Sequence, residues 1–124
     1  MIDETRPLFV QIAEQVEDSI VDGSLAEEAQ APSTNELAAF YRINPATAAK
    51  GVNRLVDKGV LYKRRGIGMF VSAGARDLLL RERRSDFARR YVQPLLAEAR
   101  KIGLEPDDVA GLVRAGAGAA PSTP

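Results

Sequence analysis

The 124-residue sequence contains no cysteine and no histidine. Without cysteine there is neither a disulfide nor a thiolate, so thiolate metal sites and cysteine nucleophiles are excluded. Without histidine the usual proton shuttle near neutral pH is missing as well. No Walker-type phosphate loop occurs, no carboxylates have EF-hand spacing, and nothing sets two carboxylates together as an acid–base pair. These absences argue against an enzyme and against any metal or other cofactor. No apolar run approaches the roughly 18 residues a membrane helix needs, and no secretory signal is recognisable, so cytoplasm is the expected location and no membrane partner is expected. Net charge is absent too, 17 basic residues balancing 17 acidic ones. The length and an apolar fraction of 45% fit one globular domain plus an appendage.

The zero sum conceals a strong asymmetry. Residues 1–40 carry a balance of −8, residues 41–74 a balance of +6, and residues 75–124 a balance of +2. Arg42, Lys50, Arg54, Lys58, Lys63, Arg64 and Arg65 make up the basic cluster, opposed there only by Asp57. A local field of that sign suits a nucleic-acid surface even when the whole chain is neutral.

The basic cluster lies on a patterned stretch, Ser33 to Val71. Ser33 and Glu36 form an S-x-x-E capping box that starts a helix, with Leu37, Ala38 and Phe40 as its apolar contacts and Tyr41-Arg42-Ile43 as the following turn. Asn44 caps a second helix, with Pro45 in its first position, where a missing N–H costs nothing. That helix should end at Lys58, with Gly59 in the left-handed conformation. Ala48, Gly51, Val52 and Leu55 share one face, so Ala46, Lys50 and Asn53 point the other way, flanked by Thr47, Arg54 and Ala49. Gly51 costs about 1 kcal/mol against Ala in a helix interior. It is therefore expected to be the close-approach point for the preceding helix. Val60–Lys63 and Met69–Ser72 read as two strands joined by Arg64-Arg65-Gly66-Ile67-Gly68, whose glycines permit a tight basic tip. Two capped helices and a basic hairpin make a winged helix-turn-helix, so the fold class is mostly α with a small β-wing.

The run Pro32-Ser33-Thr34-Asn35-Glu36-Leu37-Ala38, Thr47, Leu55-x-x-x-Gly59 and Gly66-Ile67-Gly68-Met69-Phe70-Val71 resembles the DNA-binding domain of GntR-family transcriptional regulators. Pro7-Leu8-Phe9-Val10-Gln11-Ile12 and Asp22-Gly23-Ser24-Leu25 extend the likeness over residues 6–72. The family commonly has Arg where this chain has Asn35, and Ser-Arg where it has Asn44-Pro45. The stretch Asn44–Gly51 and the short C-terminal segment are similar to the YtrA-like branch. That resemblance implies a homodimeric repressor, often of an ABC-type transporter operon, whose partners are operator DNA, a second copy and in some cases a small-molecule effector.

On this reading Lys63, Arg64, Arg65, Arg54 and the amides at both helix starts hold phosphates, with Ser33 and Thr34 donating to the backbone and Asn44 beside them. Thr47, Lys50 and Asn53 meet base edges, Lys50 reaching guanine O6/N7, with Ala46 or Ala49 against a thymine methyl group. Asn35 either touches DNA or orients the reading helix. Arg65 or Ile67 enters the adjoining minor groove, and Gly66 and Gly68 let the tip backbone approach. A winged-helix module that binds protein and not DNA is the competing reading. The basic hairpin and the small polar helix face speak against it.

The remaining segments are read as support. Leu8, Ile12, Val16 and Ile20 form the stripe of a helix over Pro7–Asp22, with Glu14, Glu17, Asp18 and Asp22 on its far side. Leu25 is expected to tuck into the core, and Gln30-Ala31 to add an edge strand to the wing. The expected domains are 1–74 for the winged helix, 75–114 for a helical dimerisation segment and 115–124 for a flexible tail. Asp77 should cap a helix from Leu78, Pro94 should kink or break it near Val92, and a last helix from Glu105-Pro106 should bury Val109, Leu112 and Val113. About forty residues in two or three helices cannot enclose a core alone. Leu78, Leu79, Leu80, Phe87, Tyr91 and Leu95 are therefore the candidate dimer interface.

Overall fold

The computed structural model describes residues 3–118. Its elements follow in the order α1 (Leu8–Val21), α2 (Thr34–Tyr41), α3 (Pro45–Asp57), β1 (Leu61–Arg64), β2 (Gly68–Val71), α4 (Ala75–Phe87), α5 (Gln93–Lys101) and α6 (Pro106–Gly118). A π-helical turn at Ala88–Val92 joins α4 to α5. Among the described residues, those up to Glu82 form one compact unit and those from Arg83 a second. The division between the two units falls within α4.

Local signals set the helix ends of the first unit. The Ser33 hydroxyl accepts from the Glu36 amide at 3.0 Å, and the Glu36 carboxylate accepts from the Ser33 amide at 2.9 Å, completing the capping box. Asn44 Oδ1 accepts from the Ala46 amide at 2.8 Å, and Pro45 opens α3. Arg42 takes a left-handed conformation (φ 55°) at the end of α2, and Gly59 does so (φ +84°) after α3.

The core is built where α1, α2, α3 and the hairpin converge. Ile12, Val16 and Ile20 of α1 pack with Leu37 and Ala38 of α2, Ala48, Val52 and Leu55 of α3, and Val60, Leu61 and Val71 of the wing. The buried face of α3 is the expected one, Ala48, Gly51, Val52 and Leu55. Its close neighbour is not the preceding helix, however. A Cβ on Gly51 would meet the Phe9 carbonyl oxygen at 2.9 Å, so it is α1 that presses on α3 there. Glycine is needed because the opposing atom is backbone and has nowhere to go.

Several side chains take places that periodicity did not indicate. Leu79 is fully buried in the core of the first unit, with Ala75 beside it and Leu78 packed against them. Leu79 is thereby withdrawn from the expected dimer surface, because the first turns of α4 complete the winged domain. Phe40 is 78% exposed and stacks edge-on against Tyr41 at 4.9 Å, bordering a cleft of about 530 Å³ between α1 and α2. Glu17 is buried, not on an outer acidic face, and Lys58 binds it at 2.6 Å. The same ammonium reaches Glu82 at 2.6 Å. Burial disfavours the Lys58 charge, but the hydrogen bonds to Glu17 and Glu82 outweigh it and raise its pKa.

The start of α4 also differs from expectation. The helix begins at Ala75, and Asp77 lies in its first turn without being its cap. Glu27, from the loop after α1, accepts from the amides of Gly74 at 3.0 Å and Arg76 at 3.2 Å. Those bonds hold the Glu27 carboxyl below its usual pKa, the Gly74 amide contributing most.

In the second unit, the Gln93 amide bonds back to the Ala88 carbonyl, the five-residue step of a π turn. It lies directly before Pro94, whose ring and missing N–H disfavour an ordinary turn at that place. α5 and α6 then pack as a helical pair, burying Ala99 and Val109. Leu112 and Val113, expected to be buried, are exposed, because one neighbouring helix covers only one stripe of α6. Residues 115–118 continue α6 and are not tail; 119–124 of the expected tail lie outside the described residues. No helix among the described residues is long and apolar enough to cross a membrane.

Candidate nucleic-acid interface

α3 turns its small polar side outward. Ala46, Lys50, Asn53 and Arg54 are exposed, and Thr47 and Ala49 are half-buried at the flanks. This follows from the same 3.6-residue period that buries Ala48, Gly51, Val52 and Leu55. Ser33, Asn35 and Asn44 are exposed and Thr34 is half-buried. Ser33 and Asn44 use their acceptor oxygens within the helix caps, so only their donor hydrogens remain for an anion.

The wing is a four-residue ladder with Leu61 opposite Val71 and Arg64 opposite Gly68. Each strand is displaced by one residue from its expected bounds, although the Ser72 amide still bonds to the Val60 carbonyl at 2.9 Å below the ladder. Residues 28–31 run beside β2 through bonds from the Glu28 amide to Val71 and from the Ala31 amide to Met69, both 2.8 Å. Only Gln30 forms a bridge, opposite Phe70, in place of the expected edge strand. Gln30 Nε2 donates to the Ile67 carbonyl at 3.0 Å and thereby ties the hairpin tip to the domain. Gly68 takes φ +142°, which favours glycine, and a Cβ there would lie 2.7 Å from that amide nitrogen, so the Gln30 side chain would have to shift. Gln30 carries a positioning role that sequence reasoning missed, being 37 residues from its acceptor.

The tip residues Arg65, Gly66 and Ile67 are exposed, as are Lys63 and Arg64, while Gly68 is half-buried. The Arg64 guanidinium lies over the Phe70 ring at 4.7 Å, and the Lys50 ammonium over the Phe9 ring at 4.6 Å. Neither contact neutralises its charge. Among the described residues no carboxylate pairs with Lys50, Arg54, Lys63, Arg64 or Arg65. Lys58 differs, because Glu17 and Glu82 neutralise it, and the usable basic cluster is smaller by that residue. Tyr62, on β1, donates to Glu28 at 2.9 Å, which raises the phenol pKa. No group of three or more acidic side chains with metal-binding geometry occurs among the described residues.

The second unit presents Phe87, Tyr91, Leu95 and Ile102 as exposed apolar side chains. The Phe87 and Tyr91 rings lie 5.5 Å apart with their planes inclined by 52°, and Leu80 remains half-buried in α4. An apolar cleft of about 360 Å³ opens between α5 and α6, lined by Leu95, Ala99, Ile102, Leu104, Val109 and Leu112 among others.

Residues 8–71, just over half of the chain, match the family described as bacterial regulatory proteins, gntR family. The chain is 27% identical to the HTH-type transcriptional repressor YtrA of Bacillus subtilis, over 80% of its own length and 75% of the relative's. Two further relatives from Bacillus subtilis, the HTH-type regulators NagR and YurK, are longer, and this chain spans only 27% and 28% of them. A transcriptional regulator from Oenococcus oeni superposes with a TM-score of 0.79 over 95% of this chain and 97% of its own, at 24% identity, a likeness of fold. The DNA-binding domain of AraR, solved in complex with operator ORX1, superposes with a TM-score of 0.52 at 29% identity, over 57% of this chain and 87% of its own. The match over the capped helices and wing, together with these likenesses, shows that the chain belongs to the GntR family of bacterial regulatory proteins and carries its winged helix-turn-helix DNA-binding domain.

Proposed function

We propose that the chain is a homodimeric repressor that reads a pseudo-palindromic operator in duplex DNA, controlling an ABC-type transporter operon and its own gene. One observation carries the DNA reading. The outward face of α3 and the hairpin carry Lys50, Arg54, Lys63, Arg64 and Arg65, all exposed and without carboxylate partners among the described residues. Small polar and methyl-bearing side chains beside Lys50 suit the major groove, and Arg65 and Ile67 suit the minor groove next to it. AraR binds its operator through a domain similar to this one, which supports the same use here.

Pairing is supported by the second unit. Phe87, Tyr91 and Leu95 are exposed apolar residues on consecutive turns, and the α5–α6 cleft is open. A second copy offers the matching surface, and two reading helices suit half-sites about one DNA turn apart. The cleft is also where a small apolar effector would act on pairing. Operon and location follow the likeness to YtrA-type regulators: a cytoplasmic protein, on the nucleoid when operator-bound.

The test is selection of the full chain on duplexes with a randomised centre, followed by salt-matched titration of the winner and of scrambled DNA. A single enriched, roughly two-fold symmetric site is the expected result. A dimer neutralising about 8 phosphates should show a log–log salt slope near −7. Lys50→Ala should cost about 1–3 kcal/mol at one base position only. Equal, salt-insensitive binding of every duplex, or none at low salt, would favour the protein-binding reading of the winged helix.

A further inference from the structure

We infer that Phe9, on α1 and outside the helix-turn-helix, is a positioning residue that aims Lys50 for base reading. The inference rests on the DNA-reading proposal above and adds a residue to it. The Lys50 ammonium lies 4.6 Å from the centre of the Phe9 ring. A lysine side chain has four rotatable bonds and loses much of that freedom when it docks on a base edge. A ring that already holds the ammonium removes part of this cost before DNA arrives.

The arrangement is built into the packing. Gly51, next in sequence to Lys50, lets the Phe9 carbonyl approach to where a Cβ would lie 2.9 Å away. The backbone of α1 is thereby pinned to α3, and the half-buried Phe9 ring has a defined place beside the reading face. The chemistry suits the task. A carboxylate in that position would neutralise the lysine and repel phosphates, whereas an aromatic face orients the ammonium and leaves its charge and N–H donors for guanine O6/N7.

The experiment uses the full chain and the randomised-duplex selection, with discrimination measured separately at each base pair. Phe9→Leu should lower discrimination at the base pair read by Lys50 about two- to fivefold. Binding to scrambled duplex should stay within about twofold, because the charge is unchanged. Phe9→Tyr, which keeps the ring, should restore the preference. In a Lys50→Ala background, Phe9→Leu should change nothing further at that position. Circular dichroism melts verify folding, with Phe9→Met as the substitute should Phe9→Leu unfold. Unaltered discrimination in a folded Phe9→Leu protein would overturn the inference, as would an equal loss at every base pair, the mark of general packing. If Lys50→Ala leaves the preference intact, the inference falls while DNA reading stands. If the wild type selects no sequence, the proposed function itself fails.

Discussion

The main-chain carbonyl of Phe9 stands 2.9 Å from where a side-chain carbon on Gly51 would be placed, so α1 and α3 touch backbone to backbone. Gly51→Ala should therefore destabilise the first unit. Overpacking against backbone costs about 1–3 kcal/mol, and the better helix propensity of Ala returns at most about 1 kcal/mol. Gly111→Ala in α6, with open space around it, should instead stabilise by up to about 1 kcal/mol. Urea melts of the two variants provide the comparison, and a stabilised Gly51→Ala would show that the close approach yields freely.

Lys58 joins a buried carboxylate to an exposed one. Lys58→Met leaves Glu17, with 8% of its side chain exposed, without a counter-charge and should cost about 2–4 kcal/mol. Glu82→Gln, at a side chain 42% exposed, should cost less than about 1 kcal/mol. Equal losses in denaturant melts would contradict this asymmetry.

The Glu27 carboxyl, held low by the Gly74 and Arg76 amides, stabilises the start of α4 only when ionised. Because its folded pKa is depressed, that contribution is complete above the unfolded value of about 4.3 and fades as pH falls through the folded one. Wild type should melt above Glu27→Gln at pH 7, and the gap should narrow below about pH 4. A gap that stays constant down to about pH 2 would rule out the ionised cap.

Arg65 is exposed at the hairpin tip and has no acidic partner among the described residues. Arg65→Ala should weaken binding to all duplexes alike and flatten the salt slope by about 1 for each phosphate left without its cation. An effect confined to one base pair in the titrations would reassign Arg65 from phosphate binding to base reading.

Tyr91 and Leu95 lie on the exposed apolar side of the second unit, at 56% and 46% exposure. Tyr91→Asp together with Leu95→Asp should convert the proposed dimer to a monomer in analytical ultracentrifugation and weaken operator binding, leaving the fold of the first unit intact. A dimer that survives both charges would place the pairing surface elsewhere.

The amino-acid sequence alone determined the features that are local in the chain. The Ser33–Glu36 box, the Asn44 cap with Pro45, the reversal at Gly59 and the buried face of α3 are set by hydrogen bonds and spacing inside one or two turns. The outward face that carries Lys50 and Asn53 follows from the same period and was equally legible.

Tertiary structure alone decided which distant groups meet. Glu27 caps a helix 47 residues later, Gln30 holds the wing tip 37 residues away, and Lys58 finds Glu17 across 41. Three consecutive leucines, 78–80, look equivalent in a sequence window, yet a helix turns each by about 100° and the core accepts Leu79 alone as a fully buried member. Gly51 announces a close approach without naming the neighbour, because a missing side chain leaves a space that any helix can fill. Packing assigned that space to α1, and with it brought the Phe9 ring beside Lys50.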